Sequence, residues 1–155
     1  MRVASFAEIE VEFAKRVREI VWCNVATVDR RGRPRSRILH PIWEGSTGWI
    51  LTARHSLKEK HLAANPYVSL CYANAGLEQV YADCHTEWED RPEAKSRLWD
   101  LFATTPQPVG YDPIAFWPGG KQDPTFGVLK LVPWRIEVTS LADLMRGGGK
   151  IWHAG

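Results

Sequence analysis

Residues 52–66 read TARHSLKEKHLAANP, a pattern that predicts a strand end, a short loop and a helix that stops at the Asn-Pro pair. Ser56 and Glu59 have the spacing of a capping box, so Ser56 is the predicted N-cap. Lys58 then falls in the first turn, where a cation opposes the helix dipole unless an anion lies beside it. Because a helix N-terminus also offers free N–H groups, we expect Thr52, Ser56 and Lys58 to hold a phosphate. The alternative is a solvated helix end with a surface lysine.

The composition is that of a globular protein. The chain has 155 residues, 45% of them hydrophobic and 25% charged, with a formal net charge of +2, and its length suits a single domain, residues 1–155. So small a net charge predicts neither a nucleic-acid nor a membrane partner, and no apolar run approaches the roughly 20 residues of a membrane span. Three cysteines without a CxxC pair, and an N-terminus without an apolar signal core, predict reduced thiols and a cytoplasmic protein.

Hydrophobic periodicity and turn residues predict an antiparallel sheet with interspersed helices. Besides the short helix above, helices are predicted at residues 5–21 and 92–103. Strands are predicted at residues 22–29, 35–43, 49–52, 67–72, 78–89, 125–132 and 134–140. The first three strands would form two successive hairpins of a meander. From these segments we expect a sheet of about six strands, which predicts the α+β class with a six-stranded antiparallel, closed or split β-barrel and flanking helices.

Residues 104–124 are rich in proline and glycine and fit no regular element. A loop of this length inside a domain is usually functional or disordered. Its aromatic residues Tyr111, Phe116 and Trp117 favour an ordered loop that lies over another part of the molecule. We expect Trp117 and Trp152 to pack in a core or an interface, with stacking on a flat ligand as the alternative.

Four segments occur in a fixed order along the chain. They are VATVD and GRP within residues 25–34, RIL at 37–39, the SLK and NPYVSL motifs within 52–70, and EQV at 78–80. In this order they resemble the pyridoxamine 5′-phosphate oxidase-like superfamily, the FMN-binding split barrels, over roughly residues 8–140. The resemblance implies a split β-barrel that binds FMN at a homodimer interface.

The resemblance also assigns residues to the cofactor. These are Arg37, Ile38, Leu39, Thr52, Ser56, Lys58 and Gln79. Of these, it implies that Arg37 and Lys58 bind the FMN phosphate, with help from Thr52 and Ser56. No residue is assigned a catalytic role, because in flavin enzymes the cofactor carries the chemistry.

The remaining assignments concern the flavin ring. The resemblance implies that Ile38 and Leu39 offer backbone contacts to the ring edge. Gln79 matches a glutamine that reaches the flavin, typically from the partner subunit. Leu57 stands where the family commonly has an arginine, which weakens phosphate binding or shifts that role to Arg54.

Two departures from the vitamin B6 oxidases bear on the substrate. Those enzymes carry an Arg-x-His motif near the C-terminus, and residues 139–150 have none. Arg91-Pro92 resembles their substrate-phosphate segment, but the serine expected shortly afterwards is absent and Glu87 replaces an aromatic residue. We therefore predict that the chain does not oxidise pyridoxamine phosphate. It is more similar to looser relatives, which include FMN reductases, F420-dependent proteins, and haem or biliverdin binders.

Several other patterns in the sequence suggest different functions. Residues 31–34 read RGRP, an AT-hook-like core that would enter an A·T-rich minor groove, but a hairpin turn is favoured because the segment lies between two strand patterns. No cysteine or histidine pair has zinc-finger spacing, so no metal site is predicted. His40 or His153 would be the ligand in a haem-binding relative. Nucleophile-elbow and Rossmann glycine motifs are absent.

The sequence therefore predicts an FMN-binding oxidoreductase that acts on a small organic substrate as a homodimer. An F420-dependent reductase of the same fold is the first alternative, because the phosphate of that deazaflavin needs the same basic residues. A non-enzymatic flavin- or haem-binding protein for storage or sensing is the second.

Overall fold

The computed structural model describes residues 1–155, whose eight strands form one sheet. The strands are β1 Cys23–Val28, β2 Pro34–Leu39, β3 Ile42–Glu44, β4 Thr47–Ala53, β5 Tyr67–Ala73, β6 Gln79–Trp88, β7 Phe126–Thr139 and β8 Lys150–His153. The helices are α1 Ala7–Ile20, α2 Leu57–Ala64, α3 Pro92–Thr104 and α4 Leu141–Met145. The predicted α+β class is confirmed, and the sheet is open as in a split barrel. The predicted count of six strands is wrong, because there are eight.

The strand order departs from the predicted meander. It runs β2-β1-β5-β6-β7-β4-β3, with β8 paired to β7, and all strand pairs are antiparallel. The predicted strand at residues 35–43 is two strands, because His40-Pro41 interrupts it. Proline has no N–H for the ladder and a fixed φ, so the chain leaves β2 there and begins β3 at the opposite end of the order.

The last predicted strands also differ from the structure. Residues 125–132 and 134–140 belong to one strand, β7, which runs through Pro133. Asp83 of β6 pairs with Arg135 and Cys84 pairs with Pro133, so Trp134 is the extra residue of a β-bulge. A bulge is one of the few places in a sheet that tolerates proline. The tail beyond the glycines, for which no strand was predicted, forms β8.

Two cores hold the elements together. In the larger core, α1 buries Phe13 against the sheet, where its ring meets Trp43 edge-on at 5.0 Å between centroids. Trp152 of β8 packs at the rim of this core, 5.4 Å from the Phe6 ring. None of the helices combines the length and the apolar composition needed to cross a bilayer.

The second core lies under α3 and residues 104–124. This segment contains two short 3-10 helices, Pro113–Ala115 and Gly120–Gln122, and it buries Trp117 5.3 Å from the ring of Phe126. The expectation of an ordered segment that covers another part of the molecule is therefore confirmed. At its start only glycine fits position 110, because a Cβ there would lie 1.8 Å from the carbonyl oxygen of Thr105.

Trp43 ties the short strand β3 to the larger core. Its indole N–H donates to the hydroxyl of the fully buried Tyr72 at 2.9 Å. We expect Trp43→Phe to lower the free energy of unfolding by about 1–2 kcal/mol, since the buried hydroxyl loses its donor. Denaturant titration measures the change. Trp134→Phe is the matched control, because that indole is 45% exposed; equal losses in the two variants would contradict the prediction.

Candidate functional site

The first turn of α2 is built as its sequence predicts. Ser56 is the N-cap, and its hydroxyl accepts the backbone N–H of Glu59 at 3.4 Å. The Glu59 carboxylate reaches back to the backbone N–H of His55. The helix ends at Ala64, just before Asn65-Pro66. This capping holds Lys58 in the first turn.

Four residues from different elements meet beside this turn, and we call Thr27, Arg37, Thr52 and Lys58 the basic cluster. The Lys58 ammonium donates to the hydroxyl of Thr52, which is buried on β4. The Arg37 guanidinium, from β2, donates to the Thr27 hydroxyl on β1 at 2.9 Å. Thr27 also lies 3.1 Å from Nδ1 of His61, which is buried on α2. Helix α2 therefore brings the C-terminal end of β4 together with the β1–β2 hairpin.

The two cations of the basic cluster have no counter-ion within the chain. Burial, together with the nearby Arg37 charge, lowers the pKa of Lys58 to about 8. Burial and, to a smaller extent, Arg35 lower the pKa of Arg37. No carboxylate contributes to either shift, and neither cation forms an ion pair. Two desolvated like charges destabilise the folded chain, and an anion between them would remove that cost.

Arg54, the other candidate for phosphate contact, is paired through two of its three guanidinium nitrogens. Its Nε lies 3.3 Å from the Glu59 carboxylate, and its Nη2 lies 3.6 Å from that of Asp90. The guanidinium also stacks 4.2 Å from the ring centroid of Trp88. Its Nη1 is buried and has no hydrogen-bond partner, so a contact between Arg54 and the phosphate stays a prediction.

An apolar cavity of 490 Å³ lies between the strands and residues 104–124, and we call it the aromatic cavity. Its strand wall comprises Ile38, Leu39 and Leu51. Ile38 and Leu51 neighbour the cluster residues Arg37 and Thr52 along their strands, so their side chains project from the opposite face of the sheet. Aromatic side chains of residues 104–124 close the opposite wall, and no charged side chain lines the cavity.

Gln79 lies apart from the basic cluster within this chain. It begins β6, and β1 and β5 lie between β6 and β2 in the sheet. Its side-chain oxygen accepts from the Tyr81 hydroxyl at 3.2 Å, and its backbone carbonyl accepts from Arg16 at 2.9 Å. Its assignment to the cofactor stays a prediction that requires a second copy of the chain.

The sequence did not single out Thr27 or His61. The available signal was alternation along β1, which turns Cys23, Val25 and Thr27 inward and so makes Thr27 a polar residue at a buried position. His40 was considered only as a haem ligand. The structure places it against residues 104–124, with Nε2 2.6 Å from the carbonyl oxygen of Val109.

The arginine-rich segment at residues 31–34 is an ordered hairpin turn. The Asp29 carboxylate accepts the backbone N–H groups of Arg31 and Arg33 at 2.8 and 3.0 Å. Gly32 has a φ of 75°, which glycine adopts without strain. AT-hook sequences of this kind occur in disordered segments, so the ordered geometry favours a hairpin turn over a DNA-binding hook.

An open antiparallel sheet with flanking helices, and a cation pair at the start of a short helix, define this chain as a split-barrel protein. The sequence model of the family described as pyridoxamine 5′-phosphate oxidase matches residues 9–140, and the chain belongs to this family. No curated protein is significantly similar to the chain.

Solved structures share the fold at low identity. A protein from Clostridium acetobutylicum, related to general stress protein 26 of B. subtilis, superimposes with a TM-score of 0.73 at 15% identity, over 89% of this chain and 92% of that one. A pyridoxamine 5′-phosphate oxidase-related, FMN binding protein from Nostoc punctiforme superimposes with a TM-score of 0.65 at 17% identity, over 90% of this chain and 86% of that one. HutZ, the haem storage protein from Vibrio cholerae, has a TM-score of 0.59 at 18% identity, over 81% of this chain and 89% of that one. At these identities the likeness establishes the fold alone.

Proposed function

We propose that this chain binds FMN and acts, as a homodimer, as an oxidoreductase on a small organic substrate. The observation that carries the proposal is the uncompensated cation pair, Arg37 and Lys58, at the start of α2. A phosphate supplies the missing negative charge, and its several oxygens suit two cations and a hydroxyl together. Membership of a family with an FMN-binding structural neighbour supports the choice of cofactor.

The donor set of the basic cluster fits the phosphate end of FMN. Lys58 and Arg37 would bind its oxygens, Thr52 would offer its hydroxyl, and the first turn of α2 would offer free N–H groups beyond the Ser56 cap. The backbone at Ile38 and Leu39 would hold the ring edge. When bound, FMN supplies hydride and electron transfer. The chain supplies binding, orientation and an apolar wall that limits water.

The homodimer is proposed because the predicted cofactor residues do not all lie close together within one chain. Gln79 is separated from Arg37 by two strands, and we expect a second copy to bring it to the flavin. Two large apolar side chains next to the site are exposed, Trp22 by 57% and Ile38 by 61%. Analytical ultracentrifugation is expected to give a particle of twice the 17.6 kDa chain mass. A single-chain particle would contradict this part of the proposal.

The substrate is proposed to differ from pyridoxamine phosphate. Arg91, which resembles a substrate-phosphate ligand of the B6 oxidases, binds the Glu89 carboxylate through Nε at 2.9 Å and Nη2 at 2.5 Å. These bonds lower the pKa of Glu89 to about 2, so the carboxylate stays charged and keeps the guanidinium occupied. Steady-state assays with pyridoxamine phosphate are expected to show no turnover by the FMN-loaded protein.

Two alternatives share parts of the site. F420 would present a phosphate to the same basic cluster, which recognises that group and not the ring. A non-enzymatic haem-binding role is suggested by His40 at the wall of the aromatic cavity. Absorbance of the purified protein, followed by titration with FMN, F420 and haem, separates the three. We expect flavin bands and saturable FMN binding; a Soret band, or F420 binding without FMN binding, would replace the proposal.

The affinity for FMN is expected to fall as the pH rises through about 8. Phosphate binding favours protonated Lys58, whose pKa in the free protein is about 8, so above that pH the apparent dissociation constant grows by up to about tenfold per unit. Lys58→Arg keeps its charge and should flatten the profile. An equally steep profile in Lys58→Arg would contradict the role of this lysine.

Without cofactor, the same pKa has the opposite consequence for stability. The unfolded chain has an ordinary lysine pKa of 10.5 and binds more protons than the folded chain between about pH 8 and 10.5. The free energy of unfolding should therefore rise with pH across that window in the cofactor-free protein, and less in Lys58→Arg.

A further inference from the structure

His40 lines the aromatic cavity and carries an unused hydrogen-bond acceptor. Its Nε2 lies 2.6 Å from the carbonyl oxygen of Val109. A carbonyl only accepts, so Nε2 carries the hydrogen and Nδ1 of the neutral ring is a lone-pair acceptor. Nδ1 makes no hydrogen bond within the chain. Burial lowers the pKa of His40 from its usual 6.5, against a smaller opposing effect of the Val109 bond, so the ring is neutral at neutral pH.

The orientation of this acceptor is set by packing. The His40 ring lies 4.7 Å from Trp22, 5.2 Å from Tyr111 and 6.4 Å from Phe102, measured between centroids. Together with the Val109 bond, these rings hold the imidazole in one position. A polar group held in this way loses little entropy when a ligand binds to it.

The rest of the cavity wall is apolar or neutral. Phe116 and Trp117 supply aromatic surface, and the lining contains no lysine, arginine, aspartate or glutamate. The Tyr111 hydroxyl and the Gln107 amide also line the cavity and have no partner within the chain. An apolar wall with a few neutral polar groups fits a flat, uncharged ligand, whereas a charged one would be desolvated without a counter-ion.

We propose that the aromatic cavity takes an uncharged aromatic compound that carries an O–H or N–H donor, which Nδ1 of His40 accepts. A ligand without the donor would leave Nδ1 desolvated and unpaired, which is the kind of loss that gives a site its selectivity. The ligand class rests on the cavity alone. Its role as the substrate site rests on the FMN-binding function proposed above.

Three matched probes test the ligand class by isothermal titration calorimetry. They are 2-naphthol, its methyl ether 2-methoxynaphthalene, and naphthalene-2-sulfonate. We expect 2-naphthol to bind about tenfold more tightly than the ether and the sulfonate to bind most weakly. Equal binding of the naphthol and the ether, or tightest binding of the sulfonate, would overturn the proposal.

Variants of the cavity wall locate the interaction. His40→Phe keeps a flat ring but removes the acceptor, so the preference for naphthol over the ether should fall to about one. Phe116→Ala removes an exposed aromatic side chain from the cavity wall and should weaken the binding of both ligands by the same factor. If His40→Phe does not fold, the Phe116→Ala variant is the one that locates the binding site. Trp134→Ala removes an aromatic side chain that does not line the cavity and should change neither. A preference that persists in His40→Phe, or binding unaffected by Phe116→Ala, would refute the assignment.

Repeating the titration with FMN present separates this inference from the proposed function. Naphthol binding that persists at saturating FMN supports a substrate site beside the cofactor. Competition between the two would mean that the flavin ring occupies the cavity, which overturns the substrate role. Selective naphthol binding by a protein that binds neither FMN nor F420 would refute the proposed function while supporting the ligand class.

Discussion

Replacement of both Arg37 and Lys58 with alanine is expected to lower the affinity for FMN by about 1,000-fold. Lys58→Ala alone should weaken binding by about 1.5–3 kcal/mol, the usual cost of losing a charge-assisted hydrogen bond. The two cations lie close enough for Arg37 to lower the pKa of Lys58, so their effects on binding should not be strictly additive. Flavin fluorescence titration of the cofactor-free protein measures each constant.

The stability of these variants distinguishes a binding role from a structural one. Neither cation forms an ion pair, and each donates to one threonine hydroxyl. Removal should therefore leave the unfolding midpoint of the cofactor-free protein nearly unchanged, since relief of like-charge repulsion offsets the lost bonds. Lys60→Ala, on the exposed side of the same helix, is the matched control and should bind FMN normally. If the double variant folds and binds FMN with unaltered affinity, the basic cluster is not part of the FMN site.

Arg16→Met is expected to cause the largest loss of stability, about 3 kcal/mol or roughly 10 °C in the thermal midpoint. Arg16 is 6% exposed on α1. Its guanidinium donates to the carbonyl oxygens of Gln79 and Thr139 and pairs with Glu12 at 2.8 Å. Methionine retains the apolar stem but leaves both strand carbonyls without a charged donor. Thermal and denaturant unfolding measure the change.

The same helix offers the control for that prediction. Arg18 is exposed and lies in the last turn of α1, and Arg18→Met should stay within about 0.5 kcal/mol of the parent protein. Arg16→Lys should recover only part of the loss, because an ammonium cannot reproduce the forked contact of the guanidinium. Equal stability of Arg16→Met and Arg18→Met would show that the connection between α1 and the strand ends contributes little.

Elements with local signals were predicted well. The start of α2 followed from Ser56 and Glu59, because a capping box closes within four residues, and the structure places the N-cap at Ser56. The family resemblance and the α+β class, which depend on the order of such local patterns, are also confirmed. The placement of Lys58 beside Thr52 follows from the same short segment.

Elements that depend on distant partners were predicted poorly. Proline at position 133 was read as a break, yet a bulge against β6 lets β7 continue through it. Proline at position 41 does end a strand, but nothing near it in the chain indicates that β3 pairs at the far end of the sheet. The tail became β8 because β7 offered it a free edge. Strand pairing is selected by the whole sheet, and a local window carries little of that information.

Residue type and local spacing were enough to establish a mixed α and β composition and membership of a split-barrel family, and to predict a phosphate site at the start of α2. Tertiary structure alone decided that Arg37 faces Lys58 without a carboxylate between them, and that Val109 holds the tautomer of His40. The difference has a physical origin. Capping energies arise between residues a few positions apart, whereas desolvation and unpaired charge depend on every element that packs around a group.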